Sequence, residues 1–403
     1  MTLTLLLDLD DTLLGNDMDQ FLPPYFHLLG QHLAEYVEPQ RMIDTLLSAT
    51  MTMMQNNEPD QTLEEVFDQN FYPKLGIPKE TLRPVFENFY ETQFPKLKRY
   101  TKRRPEASVL MEHMGEKNSK TVIATNPLFP ITAIEQRVHW AGIAPNEAHI
   151  AWITSFETSH FAKPNPAYYA EILGHIGWPE TKMAMIGNDL EQDIAPTTQL
   201  GIPGFWITNQ ENGAGERVSA NGHGMLGDVL PWLAKQSDNN LTPNFHNHTA
   251  MLATLRATPA VVDTLIRTLP PEQWRQHPPT DKAGWNFAEI IYHMRDVETR
   301  VNLPRMQSIL SKSNPFIEGK DTDQWVDSYN ISVEGTRDAF SAYMHTRCEL
   351  LNALNTMDEA AWARTARHAI FGPTTAQELV NFMAEHDRLH MRQLHQLTQA
   401  ISA

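Results

Sequence analysis

Cysteine is nearly absent from this sequence: its 403 residues include a single one, Cys348. One thiol cannot form a disulfide framework, and low cysteine content is typical of proteins kept in a reducing compartment. We therefore expect a cytoplasmic protein in which Cys348 is a small apolar side chain buried on a helix. The apolar run after Met1 lacks a basic flank and stops at Asp8, which predicts no secretory signal peptide.

The sequence also lacks long apolar runs and an excess of positive charge. No run is long enough to cross the hydrocarbon core of a bilayer, which is about 30 Å thick. The formal net charge is −17 at pH 7, so the surface repels polyanions. These features argue against a membrane protein and against nucleic acid or anionic membranes as partners. We expect a small-molecule substrate.

The chain is too long for one ordinary core, so its length predicts two or three domains. Its first feature is a continuous apolar run, Leu3–Leu7, followed by Asp8, Asp10 and Asp11. This pattern predicts a buried strand of a parallel sheet with carboxylates at its carboxyl end, where open α/β sheets build their sites.

Asp8 and Asp10 are expected on the same side of an extended backbone, so that their carboxylates converge. Like charges this close repel each other unless a cation lies between them or one acid is protonated. Mg²⁺ suits such a place, because it takes oxygen ligands and keeps waters for a phosphate. The alternative is an ordinary strand end with acidic capping residues.

Three further segments carry related patterns. Thr121–Asn126 is a strand-like run that ends in a hydroxyl and an amide, Lys163–Pro166 opens a helical segment, and Met185–Asp193 again ends a strand in acids. With Asp8–Thr12, they resemble in order the four motifs of the haloacid dehalogenase-like (HAD) hydrolase superfamily. The resemblance covers roughly residues 1–235, the size of one α/β domain with an insertion. It implies a Rossmann-like parallel sheet with an α-helical cap.

The HAD resemblance implies Mg²⁺-dependent phosphoryl transfer through an aspartyl-phosphate. Asp8 would be the nucleophile, and Asp10 would protonate the leaving oxygen and later deprotonate the attacking water. Thr125 and Lys163 would stabilise the charge on the transferring group.

The acid at position 10 favours a phosphatase over a dehalogenase. Family dehalogenases lack an acid there, because a halide leaving group needs no proton. We therefore expect the substrate to be a small phosphorylated metabolite. Thr12 and Asn126, which belong to the first and second motifs, are the predicted substrate-binding residues.

The fourth motif departs from the usual pattern, which places an acid directly after the glycine. Here Asn188 takes that place and Asp189 follows it. By resemblance, Mg²⁺ would be held by Asp8, the backbone carbonyl of Asp10 and one residue of this motif. Asp189 is the favoured ligand. The alternative is that Asn188 binds the ion through its amide carbonyl, while Asp193 does not bind the ion but supports the residues that do.

Residues 17–98, between the first and second motifs, carry helical periodicity and no strand signal. They resemble the helical cap of the HAD family, a lid that closes over the carboxylates, excludes water and selects the substrate. Met51–Met54, Phe67, Phe71 and Tyr72 could line this lid, but a core position is the interpretation we favour for them.

The C-terminal part differs from the N-terminal part in composition and periodicity. Residues 236–248 are polar and predict a linker. Residues 249–403 contain four long segments with helical periodicity: Thr249–Leu269, Phe287–Leu310, Ser332–Met357 and Thr375–Ser402. They predict an all-α four-helix bundle in which residues 311–331 form a crossover. Thr375 and Glu378 match a capping box at the start of the last helix.

Histidines fall within the apolar face of the last segment. His386 and His390 are four residues apart on one face, where two imidazoles can bind one metal if a third ligand is present. His395 lies roughly half a turn out of phase. His293, beside the apolar face of the second segment, is the better third ligand. The alternative is that all of these are satisfied core or surface histidines.

A second resemblance rests on these residues. The order Leu269–Trp274, Gly284–Trp285, His293-x-x-Asp296 and then His386-x-x-x-His390 resembles the DinB-like superfamily of metal-binding four-helix bundles. It implies Zn²⁺ or Ni²⁺ bound by three histidines, in a family that includes thiol transferases. The last helix also approaches the zincin pattern, but Asp387 replaces the catalytic Glu, which argues against a protease.

Three functional hypotheses follow. In the first, the N-terminal domain hydrolyses a small phosphate monoester and the bundle is a separate metal site. In the second, the bundle performs the main chemistry, such as transfer of a low-molecular-weight thiol. In the third, the bundle is a non-catalytic binding module or forms a homodimer.

Overall fold

The computed structural model describes residues 2–208, 220–278 and 284–402. The chain divides into two compact units, Met1–Ile172 with Glu180–Phe245 and Leu173–Pro179 with His246–Ala403. The predicted linker at residues 236–248 contains a short helix, Asp238–Leu241, whose first turn is capped by Ser237. The domain bounds drawn from the sequence stay a prediction. Within the described part of the chain, no helix is both long and apolar enough to span a bilayer.

The first unit is built on a parallel sheet. Its described strands are β1 (Leu3–Leu7), β2 (Leu14–Gly15), β3 (Lys102–Arg103), β4 (Lys120–Ile123), β5 (Ile150–Ile153), β6 (Lys182–Gly187), β7 (Gly204–Ile207) and β8 (Gly222–Gly224). Six of them form one sheet in the order β5-β4-β1-β6-β7-β8, and every pairing is parallel. The α/β prediction for this part of the chain is confirmed.

Strand β1 lies in the middle of the sheet because both of its faces are apolar. Leu5, Leu6 and Leu7 are fully buried, and burial of each such side chain contributes about 1.5–3 kcal/mol. The strand pairs with β4 on one side and β6 on the other. The residues that follow β1, β4 and β6 therefore meet at one edge of the sheet.

Helices cover this sheet and form the predicted insertion. In chain order they are α1 (Met18–His32), α2 (Pro39–Met54), α3 (Leu63–Leu75), α4 (Lys79–Thr92), α5 (Pro105–Glu116), α6 (Ile131–Trp140), α7 (Pro166–His175), α8 (Ala195–Gln199), α9 (Val229–Lys235) and α10 (Asp238–Leu241). Helices α1 to α4 make up the cap. Strands β2 and β3 pair antiparallel where the chain leaves for the cap and returns from it.

The sequence left two interpretations for Met51–Met54, Phe67, Phe71 and Tyr72, which could line the lid or belong to the core, and the structure assigns some of them to each. Phe71 is fully buried and Met53 nearly so, as the core interpretation predicts. Met51, Met54, Phe67 and Tyr72 line a cavity inside the cap. Phe67 and Tyr72 also pack against the hydrophobic core, so both interpretations hold for these two, and the core interpretation is wrong for Met51 and Met54. Met51 is 56% exposed. Helical periodicity identifies an inward face but does not show whether that face is filled.

The second unit is mainly helical. Its helices are α11 (His248–Thr268), α12 (Phe287–Val297), α13 (Leu303–Ser311), α14 (Val333–Asn355), α15 (Glu359–Trp362) and α16 (Ala376–Ser402). A wide π-helical turn, Glu298–Asn302, joins α12 to α13, so the two form the second long segment of the bundle. The capping box of α16 is confirmed: Thr375 N donates to Glu378 Oε2 at 2.7 Å and Glu378 N donates to Thr375 Oγ1 at 3.2 Å.

A small sheet was not predicted. Strands β9 (Phe316–Ile317), β10 (Thr365–His368) and β11 (Gly372–Thr375) lie in the order β11-β10-β9, so the predicted crossover contributes a strand. These strands are two to four residues long, too short for apolar alternation to identify them. Cys348 lies on α14 as predicted, but it is only half-buried.

Candidate active site and metal centre

Asp8 is the first residue after β1, and its side chain is 8% exposed. Its backbone N–H donates to Ile186 O of β6 at 3.0 Å, so the sheet continues to hold the chain at this point. The chain then turns around the buried Leu9, where Leu13 N donates to Leu9 O at 3.0 Å. This turn places Asp10 at the same edge, where Thr125 Oγ1 lies 3.5 Å from Asp10 Oδ2.

Lys163 reaches this edge from the loop before α7. Its Nζ donates to Asp8 Oδ1 at 2.7 Å and to Asp193 Oδ1 at 2.6 Å, and its side chain is 2% exposed. Burial opposes the charge of Lys163, but the carboxylates of Asp193 and Asp8 outweigh burial and raise its pKa well above the usual value. Lys163 is therefore a fixed cation between two acids.

Asp8 has the opposite shift. Burial raises its pKa to about 7, Lys163 works against this rise, and the nearby charge of Asp193 adds to it. Removal from water thus makes the carboxylate more basic than an exposed aspartate, and a more basic carboxylate is a better nucleophile.

The fourth motif brings Asn188 to Asp8. One terminal atom of the Asn188 amide lies 3.3 Å from each of Asp8 Oδ2, the Asp10 backbone oxygen and Thr12 Oγ1. With nitrogen in that place, the amide donates to these oxygens. With oxygen there, Asn188, Asp8 and the Asp10 carbonyl present three converging oxygens, one of them anionic. This donor set fits a hard cation such as Mg²⁺.

Asp189, the favoured ligand in the sequence, has another contact. Its Oδ1 accepts from Glu191 N at 2.8 Å and Gln192 N at 2.9 Å, which caps the turn Leu190–Ile194. Asp193 does not lie against Asp8 but accepts a hydrogen bond from Lys163 Nζ. The geometry favours the alternative in which Asn188 is the ligand and Asp193 supports it, and the ligand assignment stays a prediction.

Gly187 allows Asp193 to approach. A Cβ at position 187 would lie 2.2 Å from Asp193 Oδ2, too close for any side chain. The Asp193 carboxylate also accepts from Asp189 N at 3.1 Å. The absence of a side chain at Gly187 therefore allows the Asp193 carboxylate to approach closely enough to hold Lys163.

The two predicted substrate-binding residues lie at the same edge. Thr12 is fully buried, and its Oγ1 lies 3.3 Å from the Asn188 amide. Asn126 Nδ2 donates to Gln192 Oε1 at 3.2 Å, and its Oδ1 accepts from Lys163 N at 3.3 Å. Both therefore connect one motif to another, and their role in binding substrate stays a prediction.

Arg137 is a site residue that the sequence motifs did not identify. It lies on α6, is 1% exposed, and its Nη1 donates to Asp10 Oδ2 at 2.5 Å. On the other side of Asp10, Asn16 Nδ2 donates to Oδ1 at 2.7 Å. The available signal was an arginine within the apolar stripe of α6, beside Ile134 and Val138.

In the second unit, α12 and α16 bring the three predicted histidines together. His386 Nε2 lies 3.1 Å from His293 Nε2 and 3.0 Å from His390 Nε2. One ligand atom from each residue lies within 4.8 Å of the others. His390 Nδ1 lies 2.8 Å from Gln393 Oε1, an acceptor, so the ring proton belongs on Nδ1 and the lone pair on Nε2.

The protonation states of His293 and His390 suit a bound cation. Burial, followed by repulsion from His386, lowers the pKa of His293 to about 3, and the same two causes lower the pKa of His390 well below its usual value. Neutral imidazole nitrogens that face one another fit a borderline metal such as Zn²⁺ or Ni²⁺. Trp285 covers the cluster, with its ring centroid 4.7 Å from that of His293.

A buried ionic network lies beside the histidines. Arg347 Nε donates to Glu298 Oε1 at 2.6 Å, and Nη1 donates to Asp387 Oδ2 at 2.6 Å and to Leu255 O at 2.7 Å. All three charged side chains are 1% exposed. Asp387, where a zincin would have its Glu, is thus bound by Arg347. Glu298 and Arg347 were not predicted, although Arg347 interrupts the apolar stripe of α14.

Comparison with known proteins gives a family match for the second unit. Residues 254–394 match the model of the DinB superfamily. No curated protein matches the chain by sequence. Among solved structures, YfiT from Bacillus subtilis, with an unusual four-helix bundle topology, is 16% identical and has a TM-score of 0.35; the match covers 40% of this chain and 91% of YfiT.

Other solved structures match the N-terminal part. The 2-haloacid dehalogenase from Pseudomonas syringae pv. Tomato DC3000 is 17% identical with a TM-score of 0.44, and the match covers 59% of this chain and all of that one (100%). A HAD phosphatase from Thermococcus onnurineus is 13% identical with a TM-score of 0.40, covering 59% and 99% of the two chains. The chain thus carries a DinB-like domain at its C-terminus, at residues 254–394, and resembles HAD-like hydrolases across its N-terminal part.

Proposed function

We propose that the N-terminal unit is a Mg²⁺-dependent phosphatase that hydrolyses a small phosphate monoester through an aspartyl-phosphate on Asp8. The observation that carries the proposal is the buried Asp8 carboxylate, which lies against Lys163 on one side and the Asn188 amide on the other. A second carboxyl, Asp10, lies beside Thr125 at the same edge of the sheet.

Two steps complete the reaction. An oxygen of Asp8 attacks phosphorus, the P–O bond to the alcohol breaks, and Asp10 gives its proton to the leaving oxygen. Asp10 then takes a proton from water, the water oxygen attacks phosphorus, and the acyl phosphate bond to Asp8 breaks. Inorganic phosphate leaves, and both carboxyl groups return to their starting protonation states.

The remaining residues stabilise the negative charge of the phosphoryl group. Lys163 is a buried cation 2.7 Å from the nucleophile, so it can neutralise a phosphoryl oxygen as Asp8 becomes esterified. Asp193 keeps Lys163 in place. Mg²⁺, held by Asp8, the Asp10 carbonyl and Asn188, would supply further positive charge to the phosphoryl oxygens when bound.

The environment of Asp10 supports phosphate ester hydrolysis over dehalogenation. Asn16 and Arg137 each contact one of its oxygens, so the carboxyl is fixed at the edge where a leaving group would depart. A halide leaving group needs no such acid, whereas an alkoxide does.

Hydrolysis of an aryl phosphate such as p-nitrophenyl phosphate, with Mg²⁺ and after chelation, tests this proposal. We expect activity that requires Mg²⁺ and falls at least about 10³-fold in Asp8→Asn, because the amide cannot attack phosphorus. Asp19→Asn is the matched control, since Asp19 is exposed at the start of α1. Equal activity of wild-type protein and Asp8→Asn would overturn the proposal.

We infer a second function for the bundle, the binding of one Zn²⁺ or Ni²⁺ ion, because three histidine nitrogens converge there. Such a centre supports metal-dependent chemistry, with transfer of a low-molecular-weight thiol as the candidate reaction. Metal content of His293→Ala and His386→Ala, against the exposed α14 control His345→Ala, tests the site. Unchanged stoichiometry in the first two variants would leave the bundle as a binding or dimerisation module.

A further inference from the structure

The cap contains a cavity of about 680 Å³. Residues from all four cap helices line it, together with the loops that follow β4 and β5. Most of the wall is apolar, with Leu22, Phe26, Phe67 and Phe86 among its residues. Pockets of this size and character typically bind the apolar body of a small molecule.

The cavity begins next to the catalytic acid. Phe129 is part of its wall and packs under Arg137, whose Cζ lies 4.7 Å from the ring centroid, while Arg137 Nη1 contacts Asp10. A second link runs through Asn16, whose Nδ2 contacts both Asp10 Oδ1 at 2.7 Å and Met18 Sδ at 3.6 Å, and Met18 also lines the cavity. Arg137 and Asn16 therefore each contact both Asp10, on the leaving-group side of the site, and a residue of the cavity wall.

The charged residues around the cavity select against further negative charge. Five carboxylates and two cations belong to its lining: Glu64, Asp68, Glu87, Glu91, Glu157, Lys79 and Arg83. Both cations are already paired, Lys79 with Glu64 and Asp68, and Arg83 with Glu87. A substrate with a carboxylate or a second phosphate would gain no free cation among these residues. It would also face the carboxylates of Glu91 and Glu157, of which Glu157 accepts from Ile131 N at 3.0 Å.

We infer that this cavity receives the organic part of the substrate, so that the substrates are phosphate monoesters of neutral, apolar alcohols. The inference rests on the proposed phosphatase function and specifies its substrate class. The phosphate lies against Asp8 and Lys163, the ester oxygen faces Asp10, and the aryl or long alkyl group extends past Phe129 into the cap. Sugar phosphates and bisphosphates are excluded as good substrates, because burying their hydroxyl or phosphate groups among apolar side chains costs free energy.

A series of n-alkyl phosphates, from ethyl to octyl, tests this assignment with Mg²⁺ present. Burial of each added methylene should raise kcat/KM about two- to fourfold, and glucose 6-phosphate should react more slowly than octyl phosphate by at least about 100-fold. Thr50→Trp places a large ring in the cavity and should reduce the octyl-to-ethyl ratio of kcat/KM by more than about tenfold.

Thr52→Trp is the matched control. It lies on the same helix, α2, but is exposed and does not line the cavity, so the ratio should stay as in the wild type. Leu47→Trp, at a lining position that is 44% exposed, is a second filling variant for the case that Thr50→Trp does not fold.

Calorimetric titration with octan-1-ol separates the substrate class from the reaction. Mg²⁺-dependent hydrolysis with equal kcat/KM along the alkyl series would overturn the cavity assignment and leave the phosphatase standing. Absence of hydrolysis, with octan-1-ol binding that is lost in Thr50→Trp, would overturn the phosphatase but not the apolar site. Absence of both would overturn both.

Discussion

Arg137 occupies an unusual place for a cation, since it is 1% exposed and lies between Asp10 and the Phe129 ring. It contacts Asp10 and not Asp8, so we propose that it holds the carboxyl to which we assign proton transfer. Arginine suits this role because its planar group can pair with a carboxylate and stack on an aromatic ring at the same time.

Replacement of Arg137 by Met should therefore affect catalysis more than substrate binding. We expect kcat to fall about 10- to 100-fold with a smaller change in KM, because Asp10 loses the contact that fixes it, and Arg137→Lys should recover part of the loss. Steady-state kinetics on an aryl phosphate measures both. Arg99→Met, at an exposed position between α4 and β3, is the control, and an unchanged kcat in Arg137→Met would refute the positioning role.

The histidine cluster permits a prediction from protonation. The pKa of His293 is lowered to about 3 and that of His390 lies well below its usual value, with burial as the leading cause, so both are neutral at pH 5.5. They have no proton to release when a metal binds. Calorimetry at pH 5.5 in buffers of different ionisation enthalpy should therefore show at most about one proton released per Zn²⁺. Release of two or more would contradict the neutral state of these residues.

At the scale of elements, Arg347 joins three separate parts of the bundle. It lies on α14 and binds Glu298 of the π-helical turn, Asp387 of α16 and the Leu255 carbonyl of α11. The carboxylate of Asp387 is buried, which by itself would raise its pKa, but Arg347 outweighs burial and the pKa falls to about 2. The network thus fixes the helix that supplies two of the three histidines.

Loss of this cation should destabilise the bundle. Arg347→Leu leaves two carboxylates buried without their partner, so the free energy of unfolding should fall by about 3–5 kcal/mol. Urea denaturation followed by circular dichroism measures this change. Arg337→Leu on the same helix, where the arginine is exposed over Trp274, should cost less than about 1 kcal/mol. Similar losses in the two variants would argue against a structural network.

Sequence periodicity predicted the elements that are long and regular. The central strand, the helical cap and the four long bundle segments follow from apolar patterning, and the small β9–β11 sheet does not, because its strands are too short to show a period. The π-helical turn at Glu298–Asn302 is only five residues long and lies within one continuous helical pattern, so the sequence did not distinguish it from the flanking helices.

Side-chain sites were predictable where a motif or a helical spacing ties residues together. His386 and His390 lie four residues apart on an apolar face, and Asp8, Thr125 and Lys163 follow a recognisable motif order. Arg137 and Glu298 have no such tie, since their partners Asp10 and Arg347 are distant in sequence. The sequence pointed to Asp189 as the metal ligand because it is the nearest acid, but the cap of the next turn holds its carboxylate.

At the scale of the whole molecule, the chain carries two centres with different donor chemistry. The N-terminal unit offers oxygens from Asp8 and the Asp10 carbonyl, beside the Asn188 amide, and the bundle offers nitrogens from three histidines. Oxygen donors suit Mg²⁺, whereas imidazoles suit Zn²⁺ or Ni²⁺. The formal charge of −17 is the basis of our prediction that the substrate is a small molecule and not a polyanion, and this stays a prediction.

Acid quenching of the whole protein after mixing with a radiolabelled aryl phosphate and Mg²⁺ tests the central role of Asp8 most directly. We expect protein-bound label that is stable in acid, released by hydroxylamine, located on the peptide that contains Asp8, and missing in Asp8→Asn. Turnover without bound label, or label on a different residue while Asp8→Asn remains active, would contradict this role.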